Sequence, residues 1–364
     1  MKNKKKIAIL TGGGDCPGLN AVIRAVVKKS MLDYGTDVIG IEDGFEGLVE
    51  NRYRNLSYAD VSSILTLGGT ILGTSNKANP YKYPVKKRNK YEFKDLSRKA
   101  VHNLKKLSVD CLVCIGGDGT LGIAYKLFQQ GVPVVGVPKT IDNDIYGTDI
   151  TFGFNSAVGI ATEAVDRIHS TAESHHRAMI IEVMGRKAGW IALYAGVAGG
   201  GDVILIPEIP YMINSVCARV KERNKKGKRF SIIVISEGAK PKGGNVVVQR
   251  MVADGSEPIR LGGVGFVLGA AIEKTTGIET RTVVIGHLQR GGSPTPFDRI
   301  LGTRLGTYAA QMVNNKNFGH MAGIKGSDLV SVPLEIVSKG SRTVPVDHNL
   351  IASARSVGTS FGDF

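Results

Sequence analysis

The chain has 364 residues, of which 42% are hydrophobic, and carries a formal net charge of +15. Because single hydrophobic cores stop growing at about 250–300 residues, this length predicts two lobes with a cleft between them. The charge suits nucleic acid, an anionic membrane or small anionic substrates, but aromatic residues make up only 6% and do not interleave with the basic clusters, which argues against nucleic acid.

Cysteine usage and hydropathy indicate the compartment. Four cysteines are too few for a disulfide framework in this length, and Cys111 and Cys114 face opposite ways if their run is a strand, which excludes a zinc pair. The apolar stretch after the basic start is too short for a signal peptide, and no run reaches the roughly 18 apolar residues of a membrane span. We therefore expect a cytoplasmic protein with no membrane partner.

Short β-branched runs alternate with helix-length amphipathic segments along the chain. The runs cover residues 7–11, 38–41, 109–115, 132–137, 178–183, 203–206, 230–235 and 282–285. This alternation predicts an α/β fold whose largely parallel sheets are covered by helices. The charged, proline-containing segment 81–90 is predicted as a surface excursion.

The first run ends in the three glycines 12–14, and a helix-like segment follows up to Lys29. Backbone N–H groups in such a turn can receive a phosphate at a helix start. The glycine spacing matches neither a Walker loop nor a dinucleotide fingerprint. A phosphate-binding turn and a purely structural turn both stay open on this segment alone.

The run at 109–115 ends in Gly116-Gly117-Asp118-Gly119-Thr120. A lone aspartate among glycines leaves room for a nucleotide phosphate and supplies one hard oxygen ligand, and Mg²⁺ typically takes one or two protein carboxylates. Asp118 is therefore a candidate magnesium ligand. The structural alternative is an Asx turn at the start of the next helix.

The run at 132–137 is followed by Lys139, Thr140, Asp142 and Asp144. An ammonium, a hydroxyl and two carboxylates within so few residues suit phosphoryl transfer. Open α/β sheets bind ligands at the carboxyl ends of their strands, where these side chains would emerge. In the alternative interpretation, Asp142 and Asp144 cap the next helix.

Four arginines lie beside predicted strand ends and could hold a sugar phosphate: Arg177, Arg186, Arg281 and Arg290. A guanidinium matches phosphate oxygens bidentately, although any one of these alone could form a surface ion pair. His287 fits equally a structural histidine and a contact to a substrate hydroxyl.

Several motifs together resemble the 6-phosphofructokinase family over roughly residues 7–310. They are Gly13 to Asn20, Gly69 to Thr74, Gly116 to Thr120, Pro138 to Asp144, Met184-Gly185-Arg186, Ser236-Glu237-Gly238 and Gly286 to Pro294. The pattern is most similar to the ATP-dependent type, in the mixed-substrate branch. The resemblance implies two Rossmann-like three-layer domains with the active site in the cleft between them. It places residues 1–153 and about 289–340 in a larger nucleotide-binding domain, and residues 154–288 with the segment to 364 in a smaller sugar-phosphate domain.

The resemblance implies transfer of the ATP γ-phosphoryl group to the 1-hydroxyl of D-fructose 6-phosphate, the committed step of glycolysis. In the family, the aspartate matching Asp142 accepts the hydroxyl proton, and those matching Asp118 and Asp144 serve Mg²⁺ and the local charge network. Lys139 and Thr140 complete the catalytic set. The positions implied for ATP are Gly14, Asn76, Lys77, Gly117, Asp118, Gly119 and Thr120. The positions implied for the sugar phosphate are Thr140, Asp142, Arg177, Met184, Gly185, Arg186, Glu237, Arg281, His287 and Arg290.

Residues matching Arg177 and Arg281 reach the 6-phosphate from a neighbouring subunit in the family. The resemblance therefore implies a homo-oligomer, with a tetramer favoured and a dimer possible. Allosteric effectors and the role of the extension from about residue 323 to 364 stay open.

The phosphoryl donor depends on two positions. Pyrophosphate enzymes of the family carry aspartate where this chain has Gly119, and a carboxylate there would repel the nucleotide's α-phosphate. Gly119 therefore favours ATP. Lys139 is shared with pyrophosphate users, and the bacterial ATP enzymes have arginine where this chain has Asn76. We expect Lys139 or Lys77 to replace part of that arginine's role. Three alternatives stay open. They are a pyrophosphate-dependent phosphofructokinase, an NAD or lipid kinase, which also uses Gly-Gly-Asp-Gly-Thr, and a non-catalytic nucleotide or sugar-phosphate sensor.

Overall fold

The computed structural model describes residues 4–88, 90–251 and 259–364. The strands are β1 (Lys6–Gly12), β2 (Asp37–Ile41), β3 (Tyr53–Leu56), β4 (Tyr83–Lys87), β5 (Lys90–Lys94), β6 (Cys111–Gly116), β7 (Val134–Thr140), β8 (Phe152–Gly153), β9 (Ala178–Val183), β10 (Val203–Leu205), β11 (Ser231–Ser236), β12 (Val248–Met251), β13 (Ile259–Leu261), β14 (Thr280–Val284), β15 (His320–Lys325) and β16 (Asp328–Pro333).

Helices connect most of these strands. They are α1 (Leu19–Tyr34), α2 (Phe45–Glu50), α3 (Ser97–Lys106), α4 (Asp118–Gln129), α5 (Phe154–His175), α6 (Trp190–Ala198), α7 (Ile213–Lys225), α8 (Val264–Thr276), α9 (Pro296–Asn314), α10 (Leu334–Val337) and α11 (Asn349–Ser356). A short 3₁₀ helix covers Gly286–Arg290.

The larger sheet has the order β16-β15-β7-β6-β1-β2-β3, with β8 paired beside the end of β7. Its centre, from β15 to β2, is parallel, and β3 and β16 are antiparallel edge strands. The smaller sheet has the order β10-β11-β9-β14 and is parallel throughout. The predicted α/β fold with largely parallel sheets is confirmed.

Helices cover both faces of the larger sheet. Ile9 packs into one buried cluster with Leu19 of α1 and Leu305 of α9. Its neighbour Leu10 packs into a second cluster with Leu48 of α2 and Leu121 of α4. Strands that are buried on both faces read as continuous apolar runs, which is why β1, β6 and β7 were visible in the sequence.

Cys111 and Cys114 belong to these two different clusters. They therefore point to opposite faces of β6, as the strand period requires, and all four cysteines are free and buried.

Each of the eight predicted runs contains a strand of one of the two sheets. The short strands and hairpins were not predicted. The described residues of segment 81–90, which exclude residue 89, lie on the surface, but most of them belong to the antiparallel hairpin β4–β5, whose second strand is exposed. No helix within residues 4–88, 90–251 and 259–364 has the length and hydropathy to cross a membrane. The domain boundaries near residues 153 and 288 stay a prediction.

Candidate active site

Strand register places the three glycine- and acid-containing loops of the larger sheet side by side. Gly12 at the end of β1 pairs with Gly116 at the end of β6, and Gly116 pairs with Pro138 near the end of β7. All three strands are parallel, so the following loops emerge at one edge of the sheet. This is the edge at which open α/β sheets bind ligands.

The glycines at the ends of β1 and β6 allow close packing of α4. A Cβ at Gly116 would lie 2.3 Å from the Thr120 Cβ, and one at Gly12 would lie 2.7 Å from the Thr120 Oγ1. Thr120, predicted as an ATP contact, is itself buried against these strand ends. Its position draws the N-terminus of α4 towards the glycine turn, where backbone N–H groups can meet an anion.

Lys139 points into the glycine turn. Its Nζ donates a 2.5 Å hydrogen bond to the Gly14 carbonyl oxygen and would lie 3.5 Å from a Cβ at Gly13. The side chain is only 4% exposed, and this burial lowers the pKa of its ammonium, although neighbouring acids, including Asp142, oppose the shift. A buried positive charge therefore lies beside the backbone that a polyphosphate would approach.

The segment after β7 forms a tight turn rather than a helix cap. Asn143 has a left-handed φ of 51°, and its Oδ1 accepts a 3.0 Å hydrogen bond from the Thr151 N–H. The next described helix, α5, begins only at Phe154. The interpretation in which Asp142 and Asp144 cap a following helix is therefore wrong, and the turn instead presents both carboxylates at the sheet edge.

Asp142 lies among several charges. Burial raises the pKa of its carboxyl, the cations Arg290, Lys139 and Arg186 lower it, and Asp118 raises it. Its Oδ1 is buried with no hydrogen-bond partner in the described part of the chain. A buried polar atom without a partner is costly, so this oxygen is suited to accept a hydrogen bond from a bound hydroxyl.

Two further carboxyl groups share this environment. Burial, and then the charges of Asp142 and Asp118, raise the pKa of Asp144 to about 7. Burial, and then the charge of Asp142, raise the pKa of Glu237 to about 7. Perturbed acids that cluster at a sheet edge are typical of a functional site.

The smaller sheet contributes a second set of loops. Val183 at the end of β9 pairs with Ser236 at the end of β11, so Met184-Gly185-Arg186 and Glu237 follow neighbouring strands. The Arg186 N–H donates a 3.3 Å hydrogen bond to Glu237 Oε1. Gly185 has a φ of 145°, which suits glycine.

Gln289 orders this loop from the 3₁₀ helix. Its Oε1 accepts a 2.8 Å hydrogen bond from the Met184 N–H, and the side chain is fully buried. Gln289 lies within the motif from Gly286 to Pro294, but the sequence did not predict a role for this residue.

Arg290 connects the two sets of loops. Its Nη1 donates a 2.9 Å hydrogen bond to the Asp15 carbonyl oxygen and would lie 2.8 Å from a Cβ at Gly14. Arg290 also lowers the pKa of Asp142. Its guanidinium therefore lies near both the glycine turn, residues 12–14, and the acid turn, residues 142–144. The structure thus brings together Gly14, Asp118, Lys139, Asp142, Asp144, Arg186, Glu237 and Arg290.

Three predicted contacts lie at the rim of the site. Asn76 and Lys77 are exposed and follow Thr74, whose Oγ1 donates a 2.6 Å hydrogen bond to the Gly13 carbonyl oxygen. His287 is exposed on the 3₁₀ helix, and its contact to a substrate hydroxyl stays a prediction.

Arg177 and Arg281 do not reach this site within the chain. Arg177 directly precedes β9, and Arg281 lies near the start of β14, where Thr280 pairs with Ala178. Both guanidinium groups bind Glu279, Arg177 through a 2.7 Å contact from its Nε. Both arginines lie near the amino ends of the strands of the smaller sheet, whereas Met184 and Glu237 follow the carboxyl ends.

Asp118 is the residue that could hold a divalent cation. No group of three or more His, Cys, Asp or Glu side chains in residues 4–88, 90–251 and 259–364 has metal-binding geometry. Asp118 nevertheless lies close enough to Asp142 and Asp144 to raise the pKa of each, after the larger effect of burial. One hard carboxylate within electrostatic range of two more fits Mg²⁺ with phosphate and water as its other ligands.

The sequence prediction missed two residues from the C-terminal segment. Ser341 Oγ donates to Asp118 Oδ2 at 3.4 Å, and the Arg342 N–H donates to the Asp144 carbonyl oxygen at 2.7 Å. No local pattern marks either residue, because their role depends on a chain reversal that brings residue 341 beside residue 145.

Comparisons with known proteins agree with this geometry. The chain matches the phosphofructokinase family over residues 6–313. It is 53% identical to ATP-dependent 6-phosphofructokinase 2 of Clostridium perfringens over 100% of both chains. It is also 48% identical to the pyrophosphate–fructose 6-phosphate 1-phosphotransferase of Streptomyces coelicolor, over 98% of this chain and 100% of that protein. Among solved structures, phosphofructokinase of Pichia pastoris in the T-state matches with a TM-score of 0.79 and 31% identity, over 99% of this chain and 37% of the yeast chain.

Proposed function

Since this chain belongs to the phosphofructokinase family, we propose that its site transfers the γ-phosphoryl group of ATP to the 1-hydroxyl of D-fructose 6-phosphate. The products are fructose 1,6-bisphosphate and ADP, and the reaction is a step of glycolysis. The observation that carries this assignment is the half-buried Asp142 carboxylate, which has one buried oxygen without a hydrogen-bond partner and lies among the charges of Arg290, Lys139 and Arg186.

In the proposed reaction, the 1-hydroxyl oxygen forms a bond to the γ-phosphorus as the bond between that phosphorus and the β–γ bridging oxygen breaks. ADP leaves with the electron pair of the broken bond. Asp142 accepts the hydroxyl proton through its unpaired Oδ1. Burial raises the pKa of the Asp142 carboxyl, which strengthens it as a base, and the charges of Arg290 and Lys139 oppose that rise.

Charge neutralisation carries most of the catalysis, because phosphoryl transfer passes through a loose transition state with charge on the oxygens. Lys139 holds its ammonium at the Gly14 carbonyl oxygen, beside the proposed path of the β- and γ-phosphates. Lys139 thereby supplies positive charge to a site in which Asn76 stands in place of the usual arginine.

Asp118 would hold Mg²⁺, and the nearby Asp144 would contribute to the local charge. Bound Mg²⁺ supplies positive charge to the polyphosphate oxygens. Gly117 precedes α4, and Gly119 and Thr120 lie in its first turn, where N-terminal N–H groups can bind a phosphate.

The sugar phosphate is assigned to the loops of the smaller sheet. Met184, Gly185, Arg186 and Glu237 would hold the sugar with Thr140, His287 and Arg290 from neighbouring segments. Arg177 and Arg281 would reach the 6-phosphate of a neighbouring subunit's site, in a homo-oligomer for which we favour a tetramer. Their distance from the site of their own chain supports this assignment.

The donor assignment to ATP rests on Gly119. A Cβ at this position meets no atom within 4 Å, so the space beside the start of α4 is open to a nucleotide. Pyrophosphate is the competing donor, favoured by the relative from Streptomyces coelicolor and by Lys139.

A coupled assay of fructose 1,6-bisphosphate formation with each donor in turn tests the proposal. We expect turnover with ATP and much slower turnover with pyrophosphate. Turnover with pyrophosphate alone would overturn the donor assignment, and turnover with neither would overturn the activity. We place the enzyme in the cytoplasm, which is consistent with four free, buried cysteines.

A further inference from the structure

The C-terminal segment returns to the active site as a short strap, residues 340–344. Ser341 forms an antiparallel bridge with Ile145, directly after the acid turn. The Arg342 N–H donates a 2.7 Å hydrogen bond to the Asp144 carbonyl oxygen. The strap therefore bonds the backbone of the turn that carries both catalytic-site aspartates.

The Arg342 guanidinium also donates hydrogen bonds to the backbone of this turn. Nη2 donates to the carbonyl oxygens of Asn143 at 3.0 Å and Asp149 at 2.8 Å, and Nε donates to Asn143 at 3.3 Å. Asn143 is the residue in the left-handed conformation, with a φ of 51°. A non-glycine residue holds this conformation only where the surroundings determine it, and Arg342 donates two hydrogen bonds to the carbonyl oxygen of Asn143.

The strap is anchored on the smaller-sheet side as well. The Arg342 guanidinium lies 4.8 Å from the ring centre of Trp190, the only tryptophan of the chain. The Trp190 Nε1 donates a 3.2 Å hydrogen bond to the Arg342 carbonyl oxygen. Glu208 accepts from the Val344 N–H at 2.8 Å and from the Gly189 N–H at 3.0 Å, which ties the strap to the residue before α6.

We infer that Arg342 is a positioning residue, which holds the turn from Asp142 to Asp144 in its catalytic geometry and links it to the sugar-binding side of the cleft. This inference rests on the proposed function. Arg342 acts through backbone carbonyl groups, because its guanidinium donates to Asn143 and Asp149 and stacks on Trp190. It is therefore distinct from Arg186 and Arg290, which lie close enough to Asp142 to lower the pKa of its carboxyl against the effect of burial.

The test replaces Arg342 with Met, which keeps much of the side-chain volume and removes every side-chain donor. A displacement of about 1 Å at a reacting group costs about 100-fold in rate, so we expect kcat to fall by about 10- to 100-fold. The KM values for ATP and fructose 6-phosphate should change little, because the proposed substrate contacts remain. In Arg342→Ala, added methylguanidinium should restore part of kcat by occupying the vacated site.

Arg355→Met is the matched control. Arg355 also belongs to the C-terminal segment, binds Asp363 at 2.7 Å and lies over the rings of Phe361 and Phe364. Like Arg342 it lies over aromatic rings, but its guanidinium pairs with a carboxylate and makes no hydrogen bond to residues 142–144. Its kcat should stay at the wild-type value, even if its melting temperature falls.

The fluorescence of Trp190 gives a readout that does not depend on turnover. Emission from this single tryptophan should shift in Arg342→Met and stay unchanged in Arg355→Met. Wild-type kcat in Arg342→Met, with an active wild-type enzyme, would overturn the positioning role alone. A loss of kcat in Arg342→Ala that methylguanidinium does not restore, in step with a loss of folded protein, would also overturn it. A wild-type enzyme without phosphoryl transfer would overturn the proposed function and this inference together.

Discussion

Lys139 donates a hydrogen bond from its ammonium to the Gly14 carbonyl oxygen over 2.5 Å. The two residues are far apart in sequence, and their contact joins the ends of strands β7 and β1 across the intervening β6. A buried cation is thereby fixed at the glycine turn and within electrostatic range of Asp142. The contact links the proposed donor side of the cleft to the proposed base.

Replacing Lys139 with Met should shift the pH dependence of the reaction. Burial raises the pKa of the Asp142 carboxyl, and Arg290 and Lys139 oppose that rise. Loss of one of these cations raises the pKa further, so the acid limb of kcat/KM for fructose 6-phosphate should move to higher pH. The pH profile of kcat/KM measures this shift. Lys126→Met, which removes an exposed lysine from α4, should leave the limb in place, and an unshifted limb in Lys139→Met would contradict the assignment.

Gly119→Asp tests the space assigned to the nucleotide. A Cβ at this position meets no described atom within 4 Å, so the fold should be retained. The added carboxylate should repel the α-phosphate and lower kcat/KM for ATP by about tenfold or more, while KM for fructose 6-phosphate changes little. Steady-state kinetics with both donors measure the effect, including any gain of pyrophosphate use.

Gly122→Asp is the control for this substitution. Gly122 lies one turn further along α4, and a Cβ there also meets nothing within 4 Å. The same charge on the same helix should leave the ATP kinetics near those of the wild type. Equal losses in both variants would show that Gly119 has no specific role in donor choice.

Asp144→Asn should stabilise the protein at alkaline pH. Burial, and then the charges of Asp142 and Asp118, raise the pKa of Asp144 from 3.8 to about 7. The folded state therefore binds this proton more tightly than the unfolded state, so its contribution is fully present below pH 3.8 and is lost as pH rises through about 7. Because asparagine does not ionise, the variant does not lose folding stability in this way as the pH rises.

We expect the melting temperature of Asp144→Asn at pH about 8 to exceed that of the wild type by roughly 2–4 °C, which corresponds to about 1 kcal/mol. The difference in melting temperature should shrink as the pH falls towards the pKa of an ordinary aspartate. Asp60→Asn is the control of opposite sign, because hydrogen bonds from Ser57 lower the pKa of Asp60. A difference in melting temperature that does not depend on pH would rule out the linkage.

Subunit mixing tests the proposed role of Arg281. Asp142→Ser lacks the base but keeps the arginines, and Arg281→Ala keeps the base but would deprive its neighbour's site of a guanidinium. Hybrid oligomers of the two variants should contain some sites with both groups, so the activity of the mixture should exceed the mean of the separate variants. Activity equal to that mean, in hybrids verified by mass, would place Arg281 outside the neighbouring site.

The sequence predicted the larger strands and the loops after them because burial on both faces leaves continuous apolar runs, as in β1, β6 and β7. The site residues on those loops followed directly, since parallel strands bring their carboxyl ends together. Lys139, Asp142 and Asp118 were found in this way and do share one site.

Contacts that depend on distant chain segments could not be predicted in the same way. Arg342 and Ser341 carry no motif, and they reach the site only because the chain passes back across the cleft after β16. The edge strand β3 is half exposed and lacks an apolar run, so periodicity alone did not reveal it. The roles of Thr120 and Gln289 in packing the loops also appear only once helix α4 and the 3₁₀ helix are placed.

The most direct measurement of the central claim is the steady-state turnover of Asp142→Ser with ATP and fructose 6-phosphate. If Asp142 accepts the hydroxyl proton, kcat should fall by about 10²- to 10⁴-fold, with a smaller change in KM for fructose 6-phosphate. Asp166→Ser, on an exposed position of α5, should keep the wild-type kcat. Turnover of Asp142→Ser near that of the wild type would contradict the assignment of the base.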